Sequence, residues 1–160
     1  MEEIPIKKGF LSMKHINDVL LEMKDAKNIL LCGGESSGKT NAIKELAREL
    51  SLHHTVLVLS NHKEIQSCAF RPENVELLYK PKDCTQVGME YLETECDYIF
   101  IDERCENIEE LKNNVKQKLV IVKTLKTQED IISESKNYDL TIEVSKDNLG
   151  YSVFLNTYKN

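Results

Sequence analysis

The chain has 160 residues, 41% of them hydrophobic, and a formal net charge of −6 at pH 7. That length suits one domain with a sizeable core, and the apolar share suits a globular protein. The acidic balance argues against duplex DNA as the main partner, and no run of about 18 apolar residues is present to form a transmembrane helix.

The N-terminus, Met1 to Lys8, starts acidic and lacks an apolar stretch of signal-peptide length. Met13, Ile16, Val19, Leu20 and Met23 then mark one face of a helix, with Ser12 as its N-cap. Ile29 to Cys32 is a short apolar run, as a buried strand should be, and Ile43, Leu46, Ala47 and Leu50 recur at helical spacing after it. Thr55 to Leu59 reads as a compact strand ending at Ser60, Asn61 and His62. A short strand follows at Val75 to Tyr79, then a weakly patterned helix over about residues 84–93. Tyr98 to Ile101 is a strong strand closing on Asp102 and Glu103. Asn107 and Glu110 have capping-box spacing, opening a helix through Ile108, Leu111 and Val115. Leu119 to Val122 is another buried strand, and Thr127 with Asp130 sets up a cap before Ile131 and Ile132.

The period then changes. Leu140, Ile142 and Val144 alternate, a turn sits around residues 146–150, and Tyr151, Val153 and Leu155 alternate again, which is a β-hairpin within residues 138–157. Strands alternating with helices and finished by a hairpin predict an α/β fold. It is a single domain over residues 1–160, with residues 1–27 as a helical lead-in, a mainly parallel sheet and an antiparallel edge.

Between the first strand and its helix, Gly33, Gly34, Glu35, Ser36, Ser37, Gly38, Lys39 and Thr40 fit the pattern Gly-x-x-x-x-Gly-Lys-Thr. The strand–loop–helix setting is what makes this a phosphate-binding P-loop. Glycines let successive backbone N–H groups converge on a phosphate at a helix N-terminus, where the dipole also favours an anion. Lys39 can reach the β- and γ-phosphates, the Thr40 hydroxyl can ligate Mg²⁺, and Asn41 begins the helix beyond. A plain glycine turn needs neither Lys39 nor Thr40. Glu35 puts a negative charge on the loop and is expected to point outward from its tip.

Four apolar residues leading into Asp102 and Glu103 match a Walker B strand, about sixty residues beyond the P-loop. In an open parallel sheet, ligands bind at the carboxyl ends of the strands. Asp102 is expected to hold Mg²⁺ through water, and Glu103 to orient or deprotonate a water in line with the γ-phosphate, which makes Glu103 and Lys39 the catalytic candidates. Two solvated acids at a strand end are the plain alternative. Only Arg48, Arg71 and Arg104 are present, with no arginine-rich lid late in the chain, so hydrolysis is favoured over transfer to a metabolite.

The five cysteines contain no Cys-x-x-Cys pair and fit incidental thiols in a reducing, cytoplasmic setting. Lys112, Lys116, Lys118, Lys123 and Lys126 cluster without interleaved aromatics, which reads as a solvated face rather than a nucleic-acid groove. His53 and His54 read as a solvated turn.

With these motifs in place, the sequence resembles the ATPase domain of the type II/type IV secretion traffic ATPases. The resemblance covers Gly9 to Ser12, the first helix, Lys27 to Thr40, Thr55 to Leu59, Glu64 with Ile65, Arg71 to Val75, Tyr98 to Glu103, and Val122 to Asp130. It implies a RecA-like, three-layer P-loop NTPase that uses ATP and Mg²⁺, a homo-oligomer with nucleotide between subunits, and work alongside secretion machinery. The family usually has acidic residues where this chain has Ser60 and Asn61, glycine where it has Asp102, and histidine near Thr124 and Lys126. It also usually carries a separate domain before the P-loop. By resemblance Glu103 keeps its role while its polar support is incomplete, which cuts against full turnover. A catalytically weak or inactive regulatory module docking on a larger ATPase is therefore the second reading, and a small-molecule kinase the third.

Overall fold

A computed structural model describes residues 3–7, 13–35, 37–60, 75–79, 97–102, 112–113, 116–146 and 152–159. Eight strands form one sheet: β1 (Glu3–Lys7), β2 (Asn28–Gly33), β3 (Val56–Ser60), β4 (Val75–Tyr79), β5 (Tyr98–Asp102), β6 (Lys118–Thr124), β7 (Leu140–Lys146) and β8 (Ser152–Lys159). Helices among the described residues include α1 (Met13–Lys24), α2 (Lys39–Leu50) and α3 (Gln128–Ser135). The strand order is β1-β8-β7-β2-β6-β5-β3-β4. From β7 to β4 every neighbouring pair is parallel, while β8 is antiparallel to β7 and to β1. The architecture is the expected mixed α/β one.

Burial on both faces explains why the central strands read as unbroken apolar runs. On one face, Ile29 and Leu31 of β2 pack with Val19 and Met23 of α1 and with Ile43, Leu46 and Leu50 of α2. On the other, Leu30 and Cys32 pack with Ile121 of β6, Ile131 of α3 and Tyr138. The period of two in the strand thus feeds two cores. Leu46 is fully buried, and each such side chain contributes about 1.5–3 kcal/mol of transfer free energy. On α3 the apolar pair divides: Ile131 is buried and Ile132 exposed. Its cap forms as expected, with the Thr127 hydroxyl accepting from the Asp130 backbone N–H at 3.1 Å.

Where strands enter the sheet, aspartates hold them. Asp139, just before β7, accepts from the backbone N–H groups of Lys27 and Asn28 at 3.1 and 3.0 Å. Asp97, just before β5, accepts from Thr55 N–H at 3.1 Å. Each carboxylate takes a donor that its neighbour's first ladder rung leaves over.

Three differences from the sequence reading stand out. The lead-in contains a strand, β1, paired with β8 from Glu3↔Asn156 to Lys7↔Ser152. Pro5 and the strand's shortness hid it, and both suit an edge position, where a strand must discourage further pairing. Secondly, the lysines between 112 and 126 do not share one solvated face: Lys116 and Lys126 are exposed, but the other three are not. Lys112 is buried, with Nζ 4.3 Å from the Tyr138 ring centroid. Lys118 donates to the carbonyls of Met23, Lys24 and Ala26 at the end of α1. Lys123 and Lys126 pair with Glu134 and Glu35. Thirdly, Thr141 and Glu143 are buried, although strand alternation puts them opposite the Leu140–Ile142–Val144 face. The helix expected over 84–93 and the Ser12 cap lie outside the described residues, and of the helix expected from Asn107 only Lys112 and Asn113 are described, both helical.

Candidate nucleotide site

All the parallel strands end on one edge, and the P-loop rises from the end of β2. Gly33 closes that strand, and its lack of a side chain is a packing requirement. A Cβ there would meet the Val144 carbonyl oxygen at 2.4 Å and the Ser37 hydroxyl at 2.5 Å. Gly34 has no such neighbour within 4 Å. The Ser37 N–H donates to the Gly34 carbonyl at 3.3 Å, closing the turn. Gly38 then takes the left-handed conformation, φ 101° and ψ 14°, as N-cap of α2. A side chain is strained there, so glycine at this point lets the chain turn from loop to helix within one residue.

Lys39 folds back over the loop it follows, its Nζ 3.2 Å from the Gly33 carbonyl and 2.5 Å from that of Gly34. The ammonium is thus held among the loop's own atoms, on the side of its opening residues. The Ser37 hydroxyl is buried and makes no hydrogen bond among the described residues. Thr40 is half-buried in the first turn of α2, and Asn41 is exposed. Glu35 points into solvent as expected, 3.7 Å from Lys126. Ser36 lies outside the described residues.

Strand register places the second acid. Thr124 pairs with Gly33 across β2 and β6, and Asp102 pairs with Val122, which in turn pairs with Leu31. Asp102 therefore sits level with Leu31, two strand spacings away, or about 9.6 Å. β6 lies between the P-loop strand and the Asp102 strand, and it brings Thr124 directly beside the loop. The Leu125 N–H donates to the Gly33 carbonyl at 2.9 Å, fixing the end of β6 to the loop. Glu103, Ser60's side chain and Asn61 are outside what the structure describes.

A cavity of about 320 Å³ opens beside the loop, bounded by Gly33, Gly34 and Ser37 on one side and by Thr127, Gln128 and Glu143 on the other. Glu143 was not among the sequence candidates. Its carboxylate accepts from the Tyr158 hydroxyl at 2.6 Å and from Gln128 Nε2 at 3.2 Å. The only sequence signal was an acid in a strand, which ordinarily means an exposed position; here α3 covers that face. Burial first, and then the Glu143 carboxylate, pushes the neighbouring Cys32 thiol up to about 12, so it stays protonated and unreactive.

The donor set fits the expected ligands. A left-handed glycine at a helix N-terminus, an ammonium on the loop and an unsatisfied hydroxyl suit a phosphate chain. The Thr40 hydroxyl on α2 is a hard oxygen donor of the kind Mg²⁺ takes, and Asp102 ends its strand at the same edge of the sheet. Among the described residues no cluster of histidine, cysteine and acid could hold a softer metal.

No protein-family model matches the chain, and no curated protein matches it by sequence. Solved structures do. The VirB11 ATPase of the Brucella suis type IV secretion system, crystallised with sulphate, superposes over 92% of this chain and 53% of its own, with a TM-score of 0.65 at 13% identity. The flagellar accessory protein FlaH of Methanocaldococcus jannaschii matches 99% of this chain and 88% of its own, with a TM-score of 0.57 at 18% identity. The chain spans about half the length of VirB11. The likeness is one of fold: the chain takes the α/β fold that these two proteins share.

Proposed function

We propose that the protein binds ATP with Mg²⁺ at Gly33–Thr40 and hydrolyses it. The observation that carries this reading is the loop itself: Gly38 in the left-handed region as the N-cap of α2, with Lys39 held over Gly33 and Gly34. Backbone N–H groups from Gly34 to Thr40 would cradle the β-phosphate, and Lys39 would leave its carbonyl partners for the β- and γ-phosphate oxygens. Thr40 and Asp102 would hold Mg²⁺, which neutralises phosphate charge when bound. Glu103, next after Asp102 in the sequence, would take the proton of the attacking water. No helix among the described residues is long and apolar enough to cross a membrane, and we place the protein in the cytoplasm.

A second reading, a nucleotide-binding module that docks on a larger ATPase, draws on a specific observation. FlaH, which this chain matches along nearly its whole length, is an accessory protein. Ser60, Asn61 and Thr124 stand where the secretion ATPases carry acids and histidine. Calorimetric titration with ATP and GTP in the presence of Mg²⁺, followed by phosphate release on the same sample, separates the readings. Binding of ATP near micromolar Kd, about −8 kcal/mol, with release that Glu103→Gln abolishes, establishes the ATPase. Tight binding without release, alone and with a partner ATPase, establishes the module. Equal release by wild type and Glu103→Gln removes Glu103 as the base.

A further inference from the structure

A second cavity lies at the opposite, amino edge of the sheet, one full length of α2 from the P-loop, or about 18 Å for its 12 residues. Its volume is about 660 Å³, inside the 300–1,000 Å³ range of small-molecule sites. Leu20 of α1, Leu50 of α2 and Tyr98 of β5 give it an apolar floor, and Lys24, Lys116 and Lys118 stand around it.

Two acids also line it, and one is already occupied. Asp97 accepts from Thr55 N–H and lies 3.4 Å from His54 Nδ1. His54 in turn meets the Tyr98 ring edge-on, with centroids 5.3 Å apart, and this fixes the wall of the cavity. Lys118 is engaged with the α1 carbonyls, yet its charge remains beside the Tyr98 ring, 6.0 Å from the centroid. Glu49 is the second acid, so three ammonium groups stand against two carboxylates, with His53 beside them. The balance at the rim is cationic, over a floor that is apolar and partly aromatic.

We propose that this cavity is a binding site for a small organic anion with a flat apolar body, such as an aromatic carboxylate, separate from the nucleotide site. The body would lie on Leu20, Leu50 and Tyr98, and the carboxylate would face Lys24 and Lys116. An inorganic anion is far too small to fill the space, and an organic cation would meet three lysines against two carboxylates, Glu49 and Asp97.

The test is titration of the whole protein with 1-naphthoate, followed by NMR of the histidine ring protons, assigned with His53→Gln and His54→Gln. The expected result is saturable movement of the His53 and His54 signals with a Kd of about 1 mM or tighter, and binding at least about tenfold weaker for 1-naphthylmethylamine. Lys24→Glu/Lys116→Glu, two exposed positions, should weaken naphthoate about tenfold or more while the thermal melt stays unchanged. Lys39→Ala should leave naphthoate binding intact. Equal binding of acid and amine, no saturable movement at either histidine, or loss of naphthoate binding in Lys39→Ala overturns the proposal. The last result would mean that the anion sits on the P-loop. Because the readout is histidine movement rather than nucleotide turnover, a failure here is distinct from a failure of the ATPase reading.

Discussion

The two edges of one parallel sheet are built from different chemistry. At the carboxyl edge the chain turns on glycines, holds an ammonium against its own carbonyls and leaves the Ser37 hydroxyl unsatisfied. At the amino edge, Asp97 and Asp139 take up the leftover N–H groups of neighbouring strands, and Lys118 caps the last carbonyls of α1. The polar groups named at the amino edge tie strands and a helix end together, whereas those of the carboxyl edge stay within one loop. Burial alone does not distinguish the two, since both edges adjoin the same core. What differs is what the polar groups hold: Lys39 binds carbonyls of its own loop, whereas Asp97, Asp139 and Lys118 join separate elements, so only at the carboxyl edge can a ligand replace the partner without parting strands.

Substitutions at the two edges should therefore have opposite signatures. Lys39→Ala is expected to weaken ATP binding at least about 100-fold, roughly 2.7 kcal/mol, in calorimetry while the urea midpoint hardly moves. An unchanged Kd would remove the P-loop from the account. At the amino edge, Lys118→Met keeps the aliphatic stem and deletes the charged cap. Urea unfolding should show a loss of about 1.5–3 kcal/mol, with the ATP Kd within about twofold of wild type.

The glycine pair sharpens the contrast within the carboxyl edge. Gly33→Ala drives a Cβ into the Val144 carbonyl and should cost about 1–3 kcal/mol in urea unfolding. Gly34→Ala meets nothing and should stay within about 0.5 kcal/mol. A large loss in Gly34→Ala would mean that the loop is more closely packed than the Gly33 contacts indicate.

At neutral pH the last effect vanishes, because it is confined to alkaline conditions. The folded Cys32 thiol sits near 12 against an ordinary 9.0, so the native state holds its proton where the unfolded chain gives it up. The stability difference between wild type and Cys32→Ala should be constant below about pH 9. It should then move against wild type as the pH rises towards 12. Iodoacetamide at pH 8 should leave Cys32 unmodified until the chain unfolds.

Much of the nucleotide site was legible because its signals are local. Gly33, Gly38, Lys39 and Thr40 stand at fixed spacing, and the strand before them and helix after them each show their own period. Apolar runs such as Ile29 to Cys32 betray strands buried on both faces wherever they occur, as they do at Val56–Val58 and Leu119–Val122. Glu143 was not legible. It is an acid in an alternating strand, and its burial depends on Tyr158, 15 residues later, and on Gln128, 15 residues earlier. The lysines misled for the same reason: Lys118 finds its carbonyls more than 90 residues away.

By itself the sequence determined the strands β2 to β8 with α2 and α3 among them, and it offered the Gly33–Thr40 loop and Asp102 with Glu103 as candidates, because each rests on residues close together in the chain. Tertiary structure alone decided that β6 lies between the P-loop strand and the Asp102 strand, with Thr124 against Gly33. It also decided that β1 closes one edge on β8, and that a cationic cavity forms at the sheet's far end. Strand order and the pairing of distant polar groups depend on which surfaces must be buried together, and no local period encodes that.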